Sequence, residues 1–330
     1  MSEYSFLQKI IDENRSFLLS THINPDGDAI GSEIAFYVLL KRLGKNVRIV
    51  NYSSTPYNLE FLDDGKVIEK FDRNSGNNMF SDFDVFILLD LNRANRISNM
   101  EEGLRFFKGL RVCIDHHQDI EEIFDCIIGG PEFSATAEII YDFIKKTRIV
   151  EIDYTIALQL YAGIMTDTGS FRFDRTTPHL HEIAAELISA GVDPTEVYDR
   201  IYNQFKFGRV KLLGEALSTV ELDSTRQIAY MTVTRDCLDK NNSTEEDIDG
   251  FVNYCLTIRN VKIGILFYEM DDGVKVSFRS KGDVPVNKLA GLFDGGGHTN
   301  AAGARLTGVT IAGIKDKIIT EAQKFIAYSN

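Results

Sequence analysis

Residues 17–52 read FLLSTHINPDGDAIGSEIAFYVLLKRLGKNVRIVNY and contain the pattern that decides the fold. Apolar runs at 17–20 and 47–52 predict two strands. Between them, residues 29–43 repeat apolar side chains at helical spacing and are followed by Gly44, a residue favoured just past a helix end. Continuously apolar strands are typical of parallel sheets that are covered on both faces. The stretch therefore predicts one strand–helix–strand unit of an α/β fold.

The same alternation continues to about residue 190 and predicts a doubly wound, mostly parallel sheet. Further strands are predicted at 85–89, 112–114 and 126–128, and further helices at 135–146, 154–165 and 179–190.

The second part of the chain has a different pattern. We expect a metal-binding domain over 1–190, a linking helical region over 191–220 with a break near Gly208, and a smaller α+β domain over 221–330 across a cleft. Strands in the last domain are predicted at 228–234, 253–258, 261–270 and 274–279. Asp272-Gly273 predicts a hairpin turn between the last two of these strands.

Composition and charge limit the class of protein. The 330 residues carry a formal net charge of −13, of which −11 falls on residues 1–219 and −2 on residues 220–330. An acidic surface repels the phosphates of long nucleic acid. There is no apolar run of about 20 residues and no secretory signal pattern. The four cysteines show no CxxC spacing, so we expect free thiols in a cytoplasmic protein.

Acidic and imidazole side chains follow three of the predicted strands and one predicted helix. They are His22, Asp26 and Asp28 after 17–20, Asp90 after 85–89, Asp115, His116 and His117 after 112–114, and Asp167 near the end of the helix 154–165. In an open α/β sheet the carboxyl ends of the strands form the edge where ligands bind. Taken singly, Asp28 could cap a helix and Asp26 could stabilise a turn. The three residues together favour a metal site.

The residue types indicate which metal chemistry is expected. Two divalent cations about 3.5–4 Å apart need a shared carboxylate, for which Asp90 is the candidate. Imidazole and carboxylate without thiolate favour Mn²⁺, with Co²⁺ or Fe²⁺ also suited and Mg²⁺ less so. Such a pair would acidify a bridging water and offset the charge that develops on a phosphorus centre.

A second group of candidate residues lies in the smaller domain. Three glycines at Gly295, Gly296 and Gly297 precede His298, and a helix is expected to follow them, so their N–H groups could converge on an anion. Arg279 can bind a phosphate with two parallel hydrogen bonds. The alternatives are a flexible loop for the glycines and a solvated strand-end charge for Arg279.

In this order, the motifs resemble those of the DHH phosphoesterase family, whose name-giving triplet stands here as Asp115-His116-His117. The resemblance includes the first three site residues in the spacing His22-x-x-x-Asp26-x-Asp28, then Asp90, Asp167, Phe278-Arg279-Ser280 and Gly295-Gly296-Gly297-His298, the last two in the associated C-terminal domain. Phe293-Asp294 is a mild departure, because a further glycine is common there. Within the family, the compact chain is most similar to the type that degrades nano-RNA and 3′-phosphoadenosine 5′-phosphate.

The resemblance implies a role for each of these residues. One metal would be held by His22, Asp26 and Asp90, and the other by Asp28, Asp90, His116 and Asp167. Asp115 would orient the neighbouring imidazole and His117 would face the substrate phosphate, so the catalytic set would be Asp90, Asp115, His116 and His117. Arg279, Ser280 and the segment from Gly295 to His298 would hold the far end of the substrate.

The expected function is a Mn²⁺-dependent phosphoesterase acting on short oligonucleotides, on linear or cyclic dinucleotides and on 3′-phosphoadenosine 5′-phosphate. Short substrates fit the acidic chain, since they need only a local basic pocket, whereas a long strand needs a continuous basic track. A homodimer is usual for such proteins, although the sequence reveals no interface. The rivals are an inorganic pyrophosphatase on the same metal core, a nucleotide-binding sensor without turnover, and a structural metal protein.

Overall fold

The computed structural model describes residues 3–72 and 77–327. The chain consists of two compact units, which divide between Gln204 and Phe205. Within the described residues, no helix has the length and apolar character needed to cross a membrane.

The first unit alternates strands and helices. Its elements are α1 (Glu3–Glu13), β1 (Ser16–Ser20), α2 (Gly27–Arg42), β2 (Asn46–Asn51), β3 (Ile68–Lys70), β4 (Val85–Leu89), α3 (Glu101–Arg105), β5 (Leu110–Ile114), β6 (Cys126–Ile128), α4 (Thr136–Thr147), α5 (Tyr154–Asp167), α6 (Pro178–Ser189) and α7 (Pro194–Tyr202), with 3₁₀ segments at Asn77–Asp82 and Ala94–Met100.

The strands of this unit form one parallel sheet in the order β3-β2-β1-β4-β5-β6, which confirms the predicted α/β class. From β1 the chain winds outward through β2 and β3, then returns to the other side of β1 and continues through β4, β5 and β6. The strand order therefore reverses between β1 and β4. In open α/β sheets, such a reversal opens a crevice at the carboxyl ends of the two strands.

Alternate side chains of the strands enter two apolar layers. Phe17, Leu19 and Ile87 pack with the apolar faces of the long helices, whereas Leu18 and Phe86 pack with the 3₁₀ segments and α3. All five side chains are fully buried. Burial on both faces explains why these strands are continuously apolar in the sequence.

The second unit is built on a mixed sheet. Its elements are α8 (Phe207–Ser218), β7 (Glu221–Leu222), β8 (Ile228–Val233), α9 (Arg235–Lys240), a 3₁₀ segment (Glu245–Ile248), α10 (Val252–Cys255), β9 (Ile263–Glu269), β10 (Gly273–Ser280), α11 (Val286–Gly291), β11 (Gly296–His298), β12 (Ala301–Thr307) and α12 (Ile311–Ala327). The strand order is β11-β12-β10-β9-β8-β7, in which only β8 and β9 pair in parallel. The hairpin turn predicted at Asp272-Gly273 joins β9 to β10, with the Met270 N–H bonded to the Gly273 carbonyl.

Two of the predicted elements differ from the structure. The strand predicted at 253–258 is wrong, because α10 begins at Val252 and buries Val252 and Cys255 three positions apart, a helical spacing. The predicted linking helix is two helices, α7 and α8, and the chain breaks between them at residues 203–206, close to the break predicted near Gly208.

The helix expected after the glycines is also wrong. Gly296–His298 is a strand that pairs with β12 in an antiparallel hairpin. A Cβ atom on Gly295 would lie 2.2 Å from the Gly303 carbonyl oxygen, and one on Gly297 would lie 2.4 Å from the Ala301 carbonyl oxygen. Gly297 also has a φ of +144°, which L side chains rarely adopt. Close backbone approach therefore explains Gly295 and Gly297, whereas the space around Gly296 is open, and the glycines do not begin a helix.

Candidate metal centre

The candidate site lies where the strand order reverses. His22 follows β1 and Asp90 follows β4, the two neighbouring central strands. The Thr21 hydroxyl donates a hydrogen bond of 2.8 Å to the carbonyl of Leu89, which ties the two strand ends together. The parallel sheet thus brings together an imidazole and a carboxylate that are far apart in the sequence.

Asp90 is the centre of the site. Its Oδ2 lies 3.3 Å from Nε2 of His22, and its Oδ1 lies 3.3 Å from Nε2 of His116. The Thr136 hydroxyl donates to the same Oδ1 at 3.2 Å. Asp90 has a left-handed φ of 59° and is only 2% exposed. A residue keeps this strained backbone conformation only where many surrounding contacts fix it. Each oxygen of one carboxylate therefore faces a different histidine.

Three groups of candidate ligands overlap at this point, each with ligand atoms within 4.8 Å of one another. They are His22, Asp26 and Asp90; Asp28, His116 and Asp167; and Asp90, Asp115, His116 and His117. The structure therefore brings all the metal ligands predicted in this unit into one cluster.

Helix ends position the remaining carboxylates. Asp26 is the N-cap of α2, and its Oδ1 accepts the N–H groups of Asp28 and Ala29. Asp28 is fully buried, and its two oxygens accept the N–H groups of Thr136 and Ala137 at 2.6 and 2.9 Å, at the start of α4. The positive end of a helix dipole stabilises a carboxylate in this position. The capping role considered for Asp28 thus belongs to Asp26.

The second group is completed at the end of α5. Asp167 is the last residue of that helix, and its Oδ2 lies 3.1 Å from Nε2 of His116. His116 thus faces Asp167 and Asp90 with the same nitrogen atom.

The electrostatics of the cluster favour cations. Burial and the charge of Asp90 raise the pKa of Asp28 to about 8, and burial with the charges of Asp28 and Asp90 raises the pKa of Asp167 well above its usual value. Burial alone would lower the pKa of His22 and raise that of Asp90. Hydrogen bonds and opposite charges together outweigh burial in both cases: those from Asp90, with the charge of Asp26, raise the pKa of His22 to about 9, and those from His116 and His22 lower the pKa of Asp90.

Burying several carboxylates close together costs free energy unless nearby positive charge compensates for their loss of water. The residues present fit a pair of divalent cations, because the donor set consists of carboxylates and imidazoles around one shared carboxylate. The Nδ1 of His22 lies 2.8 Å from the Ile23 carbonyl oxygen, so a proton on Nδ1 leaves Nε2 free to bind a metal.

Asp115 and His117 form a pair beside the cluster. Asp115 is fully buried, and its Oδ1 lies 2.7 Å from Nδ1 of His117. The imidazole that Asp115 contacts is therefore the one expected to face substrate. The Nε2 of His117 lies 3.5 Å from Nη1 of Arg96, a residue that sequence reasoning missed. Within the described residues, no carboxylate lies within ion-pair distance of Arg96. In the sequence, Arg96 could have been noticed as a positively charged residue six positions after Asp90, which ends a predicted strand.

A hydrogen-bonded chain behind the cluster was also missed. The amide oxygen of Asn51 accepts the Thr21 N–H at 3.2 Å, and its amide nitrogen donates to Oε2 of Glu33 at 2.7 Å. Burial raises the pKa of the fully buried Glu33 to about 8. The chain fixes the backbone immediately before His22. In the sequence, the sign of this hydrogen-bonded chain is Glu33, an acid within the apolar repeat that forms α2.

The second unit carries its own set of candidate residues. Arg279 of β10 and His298 of β11 both pair with Ala301 of β12, from opposite sides, so the register places them at one level of the sheet. The side chain of His298 lies outside the described residues. Burial lowers the pKa of the half-buried Arg279. The Ser280 hydroxyl donates to the Val284 carbonyl and accepts from Asn300, so its bonds lie within the unit.

Comparison with known proteins gives consistent matches over nearly the whole chain. A model of the DHH family, N-terminal domain, matches residues 16–164, and a model of the DHHA1 domain matches residues 225–327. The bifunctional oligoribonuclease and PAP phosphatase NrnA of Thermus thermophilus is 32% identical, covering 91% of this chain and 87% of that protein. The protein of the same name from Bacillus subtilis is 29% identical, covering 88% and 89%.

Among solved structures, an exopolyphosphatase-related protein from Bacteroides fragilis superposes with a TM-score of 0.92 at 30% identity. The match covers 98% of this chain and 95% of that protein.

Proposed function

Since the chain belongs to the DHH phosphoesterase family, whose members are metal-dependent hydrolases of phosphoric esters, we propose that it cleaves very short oligonucleotides to mononucleotides and also removes the 3′-phosphate of 3′-phosphoadenosine 5′-phosphate. The observation that carries the proposal is the Asp90 carboxylate, which faces His22 with one oxygen and His116 with the other, at 3.3 Å each. This arrangement suits a carboxylate that bridges two cations.

The proposed ligands divide into two sets that share Asp90. One cation would be held by His22, Asp26 and Asp90, and the other by Asp28, Asp90, His116 and Asp167. Mn²⁺ is the proposed metal, because it accepts carboxylate and imidazole ligands together, whereas Mg²⁺ prefers oxygen. Co²⁺ and Fe²⁺ are the alternatives that metal analysis would distinguish.

The chain's own residues prepare the reaction. When bound, the cations supply an acidified water molecule and positive charge for the phosphorus centre. Asp115 accepts a hydrogen bond from Nδ1 of His117 and so orients the ring, and the other ring nitrogen, Nε2, would donate its N–H to the substrate phosphate. Arg96, 3.5 Å from that Nε2, adds a guanidinium for a phosphate oxygen.

The second unit is proposed to bind the far end of the substrate. Arg279 would hold a phosphate, with Ser280 and the hairpin residues Gly295, Gly296, Gly297 and His298 beside it. The shared register of Arg279 and His298 supports this proposal. A local basic site of this size suits short substrates in a chain with a net charge of −13, and it disfavours long duplex nucleic acid.

The free cysteines, of which Cys113, Cys126 and Cys255 are buried, support a cytoplasmic location, because such thiols persist in a reducing compartment. A homodimer is also proposed. Cell fractionation and analytical ultracentrifugation test these two statements.

A substrate panel tests the proposed activity. Purified protein with Mn²⁺ would be incubated with RNA of two to ten nucleotides, 3′-phosphoadenosine 5′-phosphate, cyclic di-AMP, pyrophosphate and polyphosphate. We expect the highest kcat/KM for two- to five-nucleotide RNA and measurable release of AMP from 3′-phosphoadenosine 5′-phosphate. Preference for pyrophosphate or polyphosphate would support the rival hydrolase. Dinucleotide binding without turnover would support a sensor, and metal retention without nucleotide affinity would support a structural metal protein.

A further inference from the structure

The turn that follows Asp167 has an unusual backbone. Gly169, Ser170 and Phe171 are consecutive residues with φ values of 57°, 60° and 61°. Residues other than glycine are disfavoured in this region, because their Cβ approaches the following carbonyl oxygen. Backbone outliers that the surroundings maintain are frequent at ligand sites.

Hydrogen bonds from the end of α5 hold this turn. The Ser170 N–H donates to the Met165 carbonyl at 2.8 Å, and the Phe171 N–H donates to the Thr168 hydroxyl at 3.0 Å. The Phe173 N–H donates to the Thr168 carbonyl at 3.0 Å. The turn therefore presents the next residues in a fixed position relative to Asp167.

Phe173 is the residue that this turn presents. Its ring packs so closely on Gly169 that an added Cβ there would lie 2.5–2.8 Å from three ring atoms. The side chain is nevertheless 56% exposed. A single exposed phenylalanine is ordinary on a protein surface, and Phe106 is exposed by 74%. Phe173 differs because a strained turn holds it six residues after a candidate metal ligand.

Two arginines flank this ring in the sequence, with Asp174 between Phe173 and the second of them. Arg172 donates from Nε to the Gly169 carbonyl at 2.7 Å, and Arg175 donates from Nη1 to the Phe133 carbonyl at 3.2 Å. Carbonyl contacts leave the guanidinium charge uncompensated. In the described part of the chain, neither guanidinium lies within ion-pair distance of a carboxylate.

We propose that Phe173 is a stacking platform for one nucleobase of the substrate, with Arg172 and Arg175 attracting the adjacent phosphates. The proposal rests on the proposed nucleotide substrate and adds the residue that recognises a base. An exposed aromatic ring between arginines is the combination that binds single-stranded nucleic acid by stacking and charge. The hydrogen-bonded turn that holds Phe173 follows Asp167 directly in the chain, which would align the stacked nucleotide with the reacting phosphate.

A comparison of substrates with and without a base tests the platform. The substrates are the dinucleotide pApA and two analogues, each lacking one of its bases, and the proteins are wild type, Phe173→Ala, Phe173→Tyr and Phe106→Ala. We expect Phe173→Ala to lower kcat/KM for pApA by about 5- to 100-fold, mainly through KM, which is the range for loss of one base–aromatic stack. Phe173→Tyr should retain activity, and Phe106→Ala should match the wild type.

The analogues separate stacking from damage to the turn. For the analogue that lacks the stacked base, wild type and Phe173→Ala should have the same kcat/KM. An equal loss on pApA and on both analogues would show that Asp167 had moved, and would overturn the proposal, as would no loss on pApA.

Calorimetric titration with pApA in EDTA keeps this test independent of turnover. Phe173→Ala should weaken binding by the same factor, and unchanged binding contradicts the platform. If the wild type binds pApA without cleaving it, the proposed activity fails and the binding result still decides the role of Phe173.

Discussion

The two units differ in how their candidate residues come together. In the first unit, side chains from residue 22 to residue 167 meet at one edge of a parallel sheet, and Asp90 and Asp28 are almost completely buried. In the second unit, Arg279 and the glycine hairpin come from neighbouring antiparallel strands that are close in sequence. A core between sheet and helices thus holds the first group, whereas pairing of antiparallel strands over a smaller core holds the second. Substitutions in the buried cluster of the first unit should therefore affect turnover, and substitutions in the Arg279 group should affect affinity.

The largest effect is expected at Asp90. Asp90→Asn keeps the size of the side chain but removes the charge that faces both His22 and His116. We expect kcat for pApA to fall by about 10³-fold or more, since a preorganised charge at the reacting centre is lost. Bound Mn²⁺, measured by metal analysis after gel filtration, should also decrease.

The matched control for this substitution is Glu182→Gln, which removes a carboxylate from a side chain of the same unit that is 77% exposed. It should leave turnover and metal content unchanged. Near-normal activity of Asp90→Asn with Mn²⁺ would contradict the shared-carboxylate assignment.

A smaller effect, of a different kind, is expected at Arg279. Arg279→Ala should raise KM for pApA by about 10- to 100-fold, because a charge-assisted hydrogen bond to phosphate contributes roughly 1.5–3 kcal/mol. The kcat value should change less than about twofold, since a group that binds substrate and transition state equally affects KM alone. Steady-state kinetics separates the two constants.

Arg305→Ala provides the comparison, because Arg305 lies on the neighbouring strand β12 and is paired with Glu245. Its KM should stay close to that of the wild type. A large fall in kcat for Arg279→Ala at constant KM would assign Arg279 to the reaction centre instead, and the contrast between the units would disappear.

The smallest effect concerns the glycine hairpin. Gly297→Ala places a Cβ 2.4 Å from the Ala301 carbonyl oxygen at a φ of +144°, whereas the space around a Cβ on Gly296 is open. We expect Gly297→Ala to destabilise the second unit by about 1–3 kcal/mol and to raise KM. Gly296→Ala should do neither. Thermal unfolding and kinetics of the two variants provide the measurement, and identical melting curves would refute the structural role of Gly297.

The fold and much of the metal cluster could be predicted because both follow from one regularity. Apolar runs that end in Asp or His mark the carboxyl ends of parallel strands, and parallel strands place those ends at a common edge. Asp90 and the Asp115-His116-His117 triplet could therefore be located without knowing any contact.

The glycines could not be placed in the same way. Glycine favours both helix-start anion sites and close antiparallel hairpins, and only the pairing of Gly297 with Ala302 distinguishes them. The strand predicted at 253–258 was wrong for a similar reason, since a short apolar segment is compatible with a strand or a helix until its neighbours are known.

The residues that sequence reasoning missed act through distant contacts. Arg96 gains significance from its approach to His117, and Asn51 from its bonds to Thr21 and Glu33, which lie on different elements. The local patterns around these residues, a cation shortly after a strand-end Asp and an acid within an apolar helix, are too common to identify them, because their contacts exist only after the sheet has formed.

The order of the proposed metal ligands along the chain also has a consequence for biosynthesis. His22, Asp26 and Asp90 all precede β5 in the chain, whereas Asp167 ends α5 and leaves the ribosome only after every strand of the first sheet. Domains fold as units during translation, from the N-terminal side. A nascent chain that ends within α5 therefore has all the ligands of one proposed cation but lacks a carboxylate for the other. Because all these ligands belong to one unit that folds as a whole, we expect neither cation site to form before α5 has been synthesised.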